Sequence, residues 1–199
     1  MNDPTSDELQ ALVFKNRGAL LGVPAALLAL FGKPSAFSVA VGIPIAIAGE
    51  LVRCWAVGYS GVTTRGDHVE APALTTAGPY AHVRNPLYVG NFITATGFAI
   101  AFTGRNAFAQ KLALMGASLG IMAGVYATII PHEEQFLRTE FGADFERYCE
   151  AVPKLLPALE PISGPKGTWN PSVIRDAESK TFGFFGGMLS LLALKALKG

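Results

Sequence analysis

A cluster of polar side chains stands at the entrance to an apolar segment in GPYAHVRNPLYVGNF, residues 78–92. It contains Tyr80, His82, Arg84 and Asn85. A guanidinium presents a rigid fork of donors that matches a carboxylate, and a tyrosine offers a ring face to a cation and a hydroxyl to a hydrogen bond. Because glycine and proline on both sides of the cluster favour turns, we expect these side chains at the mouth of an apolar region rather than inside it.

Two adjacent acids, Glu133 and Glu134, follow the end of another apolar segment in PHEEQFLRTEFGADFERYCEAVPKLLP, residues 131–157. Carboxylates at such a boundary either reach water or bind a cationic group. The apolar spacing after the acids predicts a short amphipathic helix that stops at Gly142 and a second one over residues 143–151. A pair of helices resting on a membrane would explain this spacing, but it does not explain the two acids.

The composition is typical of a membrane protein. Half of the 199 residues are apolar, 16% are charged, and the mean hydropathy is +0.35. The formal net charge of +1 gives no field that would attract nucleic acid, so we expect no nucleic-acid partner. Cys54 and Cys149 have no CxxC spacing and no neighbouring ligand cluster, so the sequence predicts neither a metal site nor a disulfide framework.

Five apolar segments are each close to the roughly 20 residues that a helix needs to cross about 30 Å of hydrocarbon. The sequence therefore predicts an all-α integral membrane protein, a single membrane domain over residues 1–199, with about five transmembrane helices and short cytoplasmic helices after the fourth. Only GRNA joins the third and fourth helices, which predicts an antiparallel hairpin. Pro86 is expected to begin the third helix, where proline is well accepted. The last segment is short and could instead lie in the interface, after a connection from residue 158 onward. The segments cover about 12–31, 36–59, 87–103, 107–130 and 181–197.

The distribution of lysine and arginine predicts the orientation. If the N-terminus is cytoplasmic, ten of these cations lie on the cytoplasmic side and five on the other, with Arg53 inside the second helix. Positive residues near helix ends are retained in the cytoplasm, so this bias favours a cytoplasmic N-terminus. The two long polar stretches, 60–86 and 131–180, then share the cytoplasmic side and could build one site.

Glu50 and Arg53 lie three residues apart inside the second segment. A charge near the centre of a bilayer costs roughly 2.5 to 3.5 kcal/mol on insertion scales. The two side chains can pair with each other, or they can line a polar cavity, and the sequence favours neither.

Glycines form a stripe on the fourth segment, at Gly116, Gly120 and Gly124. Small residues four apart let another helix or a ligand approach the backbone closely. We expect helix packing, with Gly90 and Gly97 on the third helix as the partner surface.

Two ordered motifs carry a resemblance to a known family. GxYxxVRNPLYxGN is followed, after the predicted hairpin, by EExxLxxxFGxxFxxYxxxVPxLLP. Over about residues 75–157 this combination resembles the integral membrane methyltransferases related to isoprenylcysteine carboxyl methyltransferase and the phospholipid N-methyltransferases. The family pattern usually reads Arg-His-Pro where this chain has Asn85 before Pro86. Asparagine cannot carry a proton at pH 7, so the resemblance does not extend to proton transfer at this position.

The resemblance implies an enzyme that binds S-adenosyl-L-methionine in a pocket between the last motif helices and the cytoplasmic loops, and that takes a lipophilic substrate from the bilayer. Catalytic roles fall on Arg84, His132, Glu133 and Glu134. Contacts with the cofactor fall on Tyr80, His82, Val83, Arg84, Asn85, Pro86, Tyr88, Glu133, Glu134 and Tyr148. The methyl acceptor stays open among a prenylcysteine-like carboxylate, a phospholipid amine, and a small thiol or amine. For an amine, which must lose a proton, His132 or Glu134 would be a candidate base.

Two alternatives are compatible with the same sequence. The first is a nicotinamide-dependent membrane reductase of the sterol reductase-like architecture, which shares a similar cofactor motif. The second is a small non-enzymatic membrane scaffold whose glycine stripe is its functional surface.

Overall fold

The computed structural model describes residues 10, 12–61, 73–165 and 167–198, which form helices and connections and contain no strand. Arg65 and Lys166, which contribute to the predicted orientation, lie outside the described residues. The helices are α1 (Arg17–Phe31), α2 (Ala36–Ser60), α3 (Pro86–Phe102), α4 (Phe108–Phe141), α5 (Ala143–Ala151) and α6 (Ile174–Lys198), with 3₁₀ turns at Gly78–Ala81 and Pro171–Val173.

Four helical stretches are long and apolar enough to cross a membrane: Leu12–Phe31, Ala36–Ser60, Phe108–Phe141 and Pro171–Leu197. Helix α3 is a shorter apolar helix of 17 residues. These findings confirm the prediction of an all-α, multi-pass membrane protein with about five apolar helices.

Helix α6 runs the length of the bundle beside α2. Just before it, the Asn170 amide donates to the Gly58 carbonyl at 2.7 Å, and near its other end Lys195 Nζ donates to the Gly32 carbonyl at 3.0 Å. It begins at Ile174, seven residues before the predicted start, and with the turn before it is long and apolar enough to cross a membrane.

Helices α2 and α3 approach closely because glycines face each other. A Cβ atom added at Gly42 would lie 2.4 Å from the Gly97 carbonyl oxygen, and one added at Gly49 would lie 2.6 Å from the Gly90 carbonyl oxygen. The prediction that Gly90 and Gly97 pack against the glycines of α4 is therefore wrong.

The glycine stripe of α4 faces outward instead. Gly116, Gly120 and Gly124 are exposed, and an added Cβ atom at each would meet nothing within 4 Å. The buried face of α4 carries larger side chains, among them Met122 and Val125, and packs against α1. Between membrane helices the attraction comes from van der Waals contact and not from removal of surface from water, and larger side chains make more of these contacts than glycine does.

The glycine contact gives a testable expectation for stability. In Gly97→Ala the new methyl group would stand 2.3 Å from the Ala46 backbone nitrogen. We expect a loss of about 1–3 kcal/mol from overpacking, measured as the free energy of unfolding in detergent. The matched control Gly120→Ala should leave stability unchanged or raise it by up to about 1 kcal/mol. Equal effects of the two substitutions would contradict the packing described here.

The polar end of the bundle, which carries Ser60, Pro86 and Glu133, is built from helix ends and turns. Pro86 is the first residue of α3, as predicted, and the turn at Gly78 has a φ of 61° that suits glycine. Helix α4 continues through Pro131 to Phe141, so the prediction of a break near residue 130 is wrong. Proline inside a helix removes only one hydrogen bond, and the helix can keep its direction when the freed carbonyl is satisfied elsewhere. Helix α5 has the predicted bounds.

Candidate functional site

A cavity of about 700 Å³ opens between the helices and reaches the polar end. Its walls come from all six helices and from the connection before α3. We call the part lined by Tyr80, residues 84–88, Glu133, Glu134 and Tyr148 the mouth, and the part lined by Arg53, Asn91 and Tyr126 the inner site. Among the described residues no cluster of three or more His, Cys, Asp or Glu side chains could hold a metal ion.

Glu133 and Tyr88 face each other across the mouth. The Tyr88 hydroxyl donates to Glu133 Oε1 at 2.7 Å, and both residues line the cavity. Tyr88 lies in the first turn of α3, which Pro86 begins, and Glu133 lies in the polar extension of α4 beyond Pro131. One carboxylate is thus held in place by a tyrosine at the boundary between the polar and apolar walls.

Arg84 and Glu134 bind each other. Arg84 Nε and Nη2 both lie 3.1 Å from Glu134 Oε1, and Lys154 Nζ lies 3.1 Å from Glu134 Oε2. Arg84 Nη1 also donates to the carbonyls of Cys149 at 2.9 Å and Val152 at 2.6 Å, at the end of α5. Cations near a helix C-terminus satisfy its free carbonyls, so this guanidinium docks α5 against the mouth. Both Arg84 and Glu134 line the cavity.

Tyr80 and Tyr148 complete the wall of the mouth. The Tyr148 hydroxyl donates to the Tyr80 carbonyl at 2.7 Å. Burial raises the pKa of Tyr80 to about 12 and raises the pKa of Tyr148 as well. Both phenols are therefore protonated at neutral pH and can donate hydrogen bonds.

Asn85 and Pro86 line the cavity, whereas three other residues singled out from the sequence lie off its wall. His82 Nδ1 lies 2.9 Å from the Ala158 carbonyl, and Val83 is buried in the protein interior. The ring of His132 packs against Phe14 with the centroids 5.7 Å apart. These side chains anchor the segments that surround the mouth.

The inner site joins four helices through one buried arginine. Arg53 Nη2 donates to both carboxylate oxygens of Glu178 at 2.8 Å, and Arg53 Nη1 donates to Asn91 Oδ1 at 2.6 Å. Asn91 Nδ2 donates in turn to the Tyr126 hydroxyl at 2.7 Å. Glu50 Oε2 lies 3.8 Å from Arg53 Nε, beyond hydrogen-bond distance. Both residues line the cavity, and they form an ion pair with each other at 3.8 Å, whereas the shorter ion pair of Arg53, at 2.8 Å, is with Glu178.

Sequence reasoning missed Glu178, Asn91 and Tyr126. Glu178 stands 125 residues from Arg53, so no local spacing reports the pair. The one available signal was an acid close to the start of the last apolar segment, opposite an arginine inside another apolar segment. The ring of Tyr126 lies 4.4 Å, centroid to centroid, from that of Tyr88, which connects the inner site to the mouth.

Comparison with known proteins places this arrangement in a family. The family model described as phospholipid methyltransferase matches residues 37–144, more than half of the chain. This chain belongs to the phospholipid methyltransferase family.

Curated relatives of this family member carry different names. A probable protein-S-isoprenylcysteine O-methyltransferase of Oryza sativa subsp. indica is 31% identical over 124 residues, which cover 60% of this chain and 61% of the rice protein. The cobalt-zinc-cadmium resistance protein CzcN of Cupriavidus metallidurans is 29% identical over 129 residues, which cover 65% of this chain and 51% of that protein. The chain therefore spans about three fifths of the length of the rice relative. No solved structure matches.

The region that matches the phospholipid methyltransferase family runs from the start of α2 to the start of α5. It contains Arg53, Arg84, Tyr88, Glu133 and Glu134. Helix α6, which supplies Glu178, lies outside the match.

Proposed function

We propose that this protein is an integral membrane methyltransferase that uses S-adenosyl-L-methionine and methylates a lipophilic acceptor, with the mouth of its cavity facing the cytoplasm. The observation that carries the proposal is a cavity between membrane helices with a polar mouth, built on the Tyr88–Glu133 hydrogen bond, in a member of the phospholipid methyltransferase family. A lipophilic acceptor fits because the cavity continues from this mouth into the apolar part of the bundle.

The residues at the mouth fit the cofactor. S-adenosyl-L-methionine carries an ammonium group, ribose hydroxyls and an adenine ring, and it supplies an electrophilic methyl group attached to a cationic sulfur. The Glu133 carboxylate can pair with the ammonium group or accept from the ribose. Tyr80, Tyr88 and Tyr148 offer ring faces to a cation or to adenine.

The protein residues act mainly by positioning and by excluding water. Tyr88 holds Glu133 toward the cavity, and the Arg84–Glu134 pair holds α5 against the mouth. If the acceptor loses a proton, Glu133 is placed to accept it at the mouth. Asn85 donates to the Lys154 carbonyl at 3.1 Å and has no proton to give or take at neutral pH, so its role is to fix the connection.

Transfer of labelled methyl groups tests the proposal. Purified protein in phospholipid vesicles is incubated with methyl-labelled S-adenosylmethionine and, separately, with N-acetyl-S-farnesylcysteine, phosphatidylethanolamine or octanethiol. We expect label in the organic extract with at least one of these acceptors, and loss of that label with Glu133→Ala. Absence of label with every acceptor, together with binding of NADPH, would contradict the methyltransferase proposal and indicate a reductase.

A further inference from the structure

The carboxylate of S-adenosyl-L-methionine needs a cationic partner close to Glu133. In this cofactor the carboxylate and the ammonium group are attached to the same carbon atom, so the protein groups that bind them must be neighbours. Glu133, which Tyr88 holds at the mouth, is the proposed partner of the ammonium group. A cationic side chain beside Glu133 would complete the recognition of the amino-acid part of the cofactor.

Arg84 carries a cation at the mouth, but the protein already uses it. Its Nε and Nη2 lie 3.1 Å from Glu134 Oε1, and its Nη1 donates to the carbonyls of Cys149 and Val152. A cofactor carboxylate at this guanidinium would compete with the contacts that hold α5 against the mouth. Another cation is therefore better placed to bind the carboxylate.

Four other cationic side chains line the described part of the cavity wall. Arg53 lies in the inner site, where it binds Glu178. Lys15 and Lys180 line the cavity from exposed positions, where water weakens their interactions with other charges. Arg17, the first residue of α1, is partly buried.

The side chain of Arg17 folds back along the chain toward Phe14, and this brings it to the level of Glu133. Arg17 Nη1 donates to the Phe14 carbonyl at 2.8 Å, and Arg17 Cζ lies 3.9 Å from the centre of the Phe14 ring. That ring packs against the ring of His132, the residue before Glu133. The charge of Arg17 also acts on Glu133 and on Tyr88, and all three residues line the cavity. The guanidinium thus lies beside the Tyr88–Glu133 pair.

We propose that Arg17 binds the carboxylate of S-adenosyl-L-methionine, while Glu133 binds the ammonium group on the same carbon atom. This inference rests on the proposed function, and it adds a residue of α1, which precedes the region that matches the family. A guanidinium has several N–H donors, so Arg17 can bind a carboxylate while it donates to the Phe14 carbonyl. A cation beside a carboxylate matches the two opposite charges of an amino acid.

Two ligands that differ only in the carboxylate test this contact without methyl transfer. The full chain is purified in detergent, and titration calorimetry gives its dissociation constants for S-adenosylhomocysteine and for decarboxylated S-adenosylhomocysteine. We expect S-adenosylhomocysteine to bind about 10- to 100-fold more tightly, as a hydrogen bond to a charged group does in proteins. Equal binding of the two ligands would overturn the inference.

Variants of two neighbouring cations assign the contact to Arg17. Arg17→Gln removes the charge but keeps a donor for the Phe14 carbonyl, and we expect the preference for S-adenosylhomocysteine to fall by about tenfold or more. The decarboxylated ligand should bind this variant and the unmodified protein equally, which checks that the site is intact. The control Lys15→Gln removes a charge from the same cavity wall and should keep the preference.

Two results with these variants would contradict the assignment. The inference is overturned if Arg17→Gln keeps the preference, or if both variants lose it equally. If Arg17→Gln does not fold, Arg17→Lys replaces it, because a lysine keeps the charge but not the forked donors. Its preference should then be about 2- to 10-fold smaller than that of the unmodified protein, and an unchanged preference would overturn the inference.

The inference and the proposed function fail in different ways. If the unmodified protein does not bind S-adenosylhomocysteine, the methyltransferase proposal is contradicted and the inference with it. If the protein binds this ligand with a preference that Arg17→Gln retains, the methyltransferase proposal stands and only the role of Arg17 is removed.

Discussion

Glu133→Ala is expected to weaken the binding of S-adenosylhomocysteine by about 10- to 100-fold. A hydrogen bond to a charged group contributes about 1.5–3 kcal/mol, and each 1.4 kcal/mol is a factor of ten in affinity. Glu133 is the carboxylate that Tyr88 holds at the mouth, so its loss removes the proposed partner of the ligand's ammonium group. Titration calorimetry of the purified variant in detergent gives the dissociation constant.

Two further variants check the cause of that loss. Tyr88→Phe keeps the ring and removes only the donor to Glu133, and we expect a smaller loss, about 2- to 10-fold. Glu140→Ala removes an exposed acid from the same helix, outside the cavity wall, and should bind normally. If Glu133→Ala binds as well as Glu140→Ala does, the assignment of Glu133 to the cofactor is wrong.

Arg84→Ala is expected to destabilise the protein by about 3–5 kcal/mol. The substitution takes from the Glu134 carboxylate its buried cationic partner, leaving the more exposed Lys154, and removes the donors to the carbonyls of Cys149 and Val152. Removing one partner of a buried ion pair costs this much because the other charge stays buried. The free energy of unfolding in detergent measures the loss. The stability of Arg84→Lys should lie between that of the unmodified protein and that of Arg84→Ala, because an ammonium group cannot reproduce the forked donors of a guanidinium.

The control for Arg84 is Arg147→Ala on α5. Arg147 pairs with Asp144 on the exposed surface, and such pairs contribute about 0–1 kcal/mol. A variant Arg84→Ala that is as stable as Arg147→Ala, but does not bind S-adenosylhomocysteine, would show that Arg84 contacts the ligand directly. That result would favour the role suggested by the sequence motif over the one suggested by the ion pair.

Local features of the sequence were sufficient for the helices and for the turn before α3. Hydropathy marks each apolar segment, Pro86 marks the start of α3, and the spacing of Phe145 and Tyr148 marks α5. Each of these signals is contained in fewer than about 25 neighbouring residues, which is the range over which periodicity and turn chemistry act.

Contacts between distant segments could not be predicted in this way. The sequence does not say which helix packs against the glycines of α3. We expected α4 there, but α2 occupies this position, with Gly42 opposite Gly97 and Gly49 opposite Gly90. The pairing of Arg53 with Glu178 depends on α6, which no spacing in the sequence connects to α2. The ion pair of Arg84 with Glu134 could not be predicted either, because the motif around Arg84 indicates a ligand and not a pairing with Glu134.

The continuation of α4 past Pro131 has a different cause. Hydropathy falls at residue 131 because the helix leaves the apolar region, not because it ends. The part of a helix that extends into water is apolar on one side only, so its mean hydropathy falls although the helix continues. A hydropathy boundary and a helix boundary can therefore lie about ten residues apart.

Titration of the unmodified full chain in detergent with S-adenosylhomocysteine, and separately with NADPH, tests the methyltransferase proposal most directly. We expect a saturable binding heat with S-adenosylhomocysteine and none with NADPH. Binding of NADPH alone, or no heat with either ligand, would contradict it.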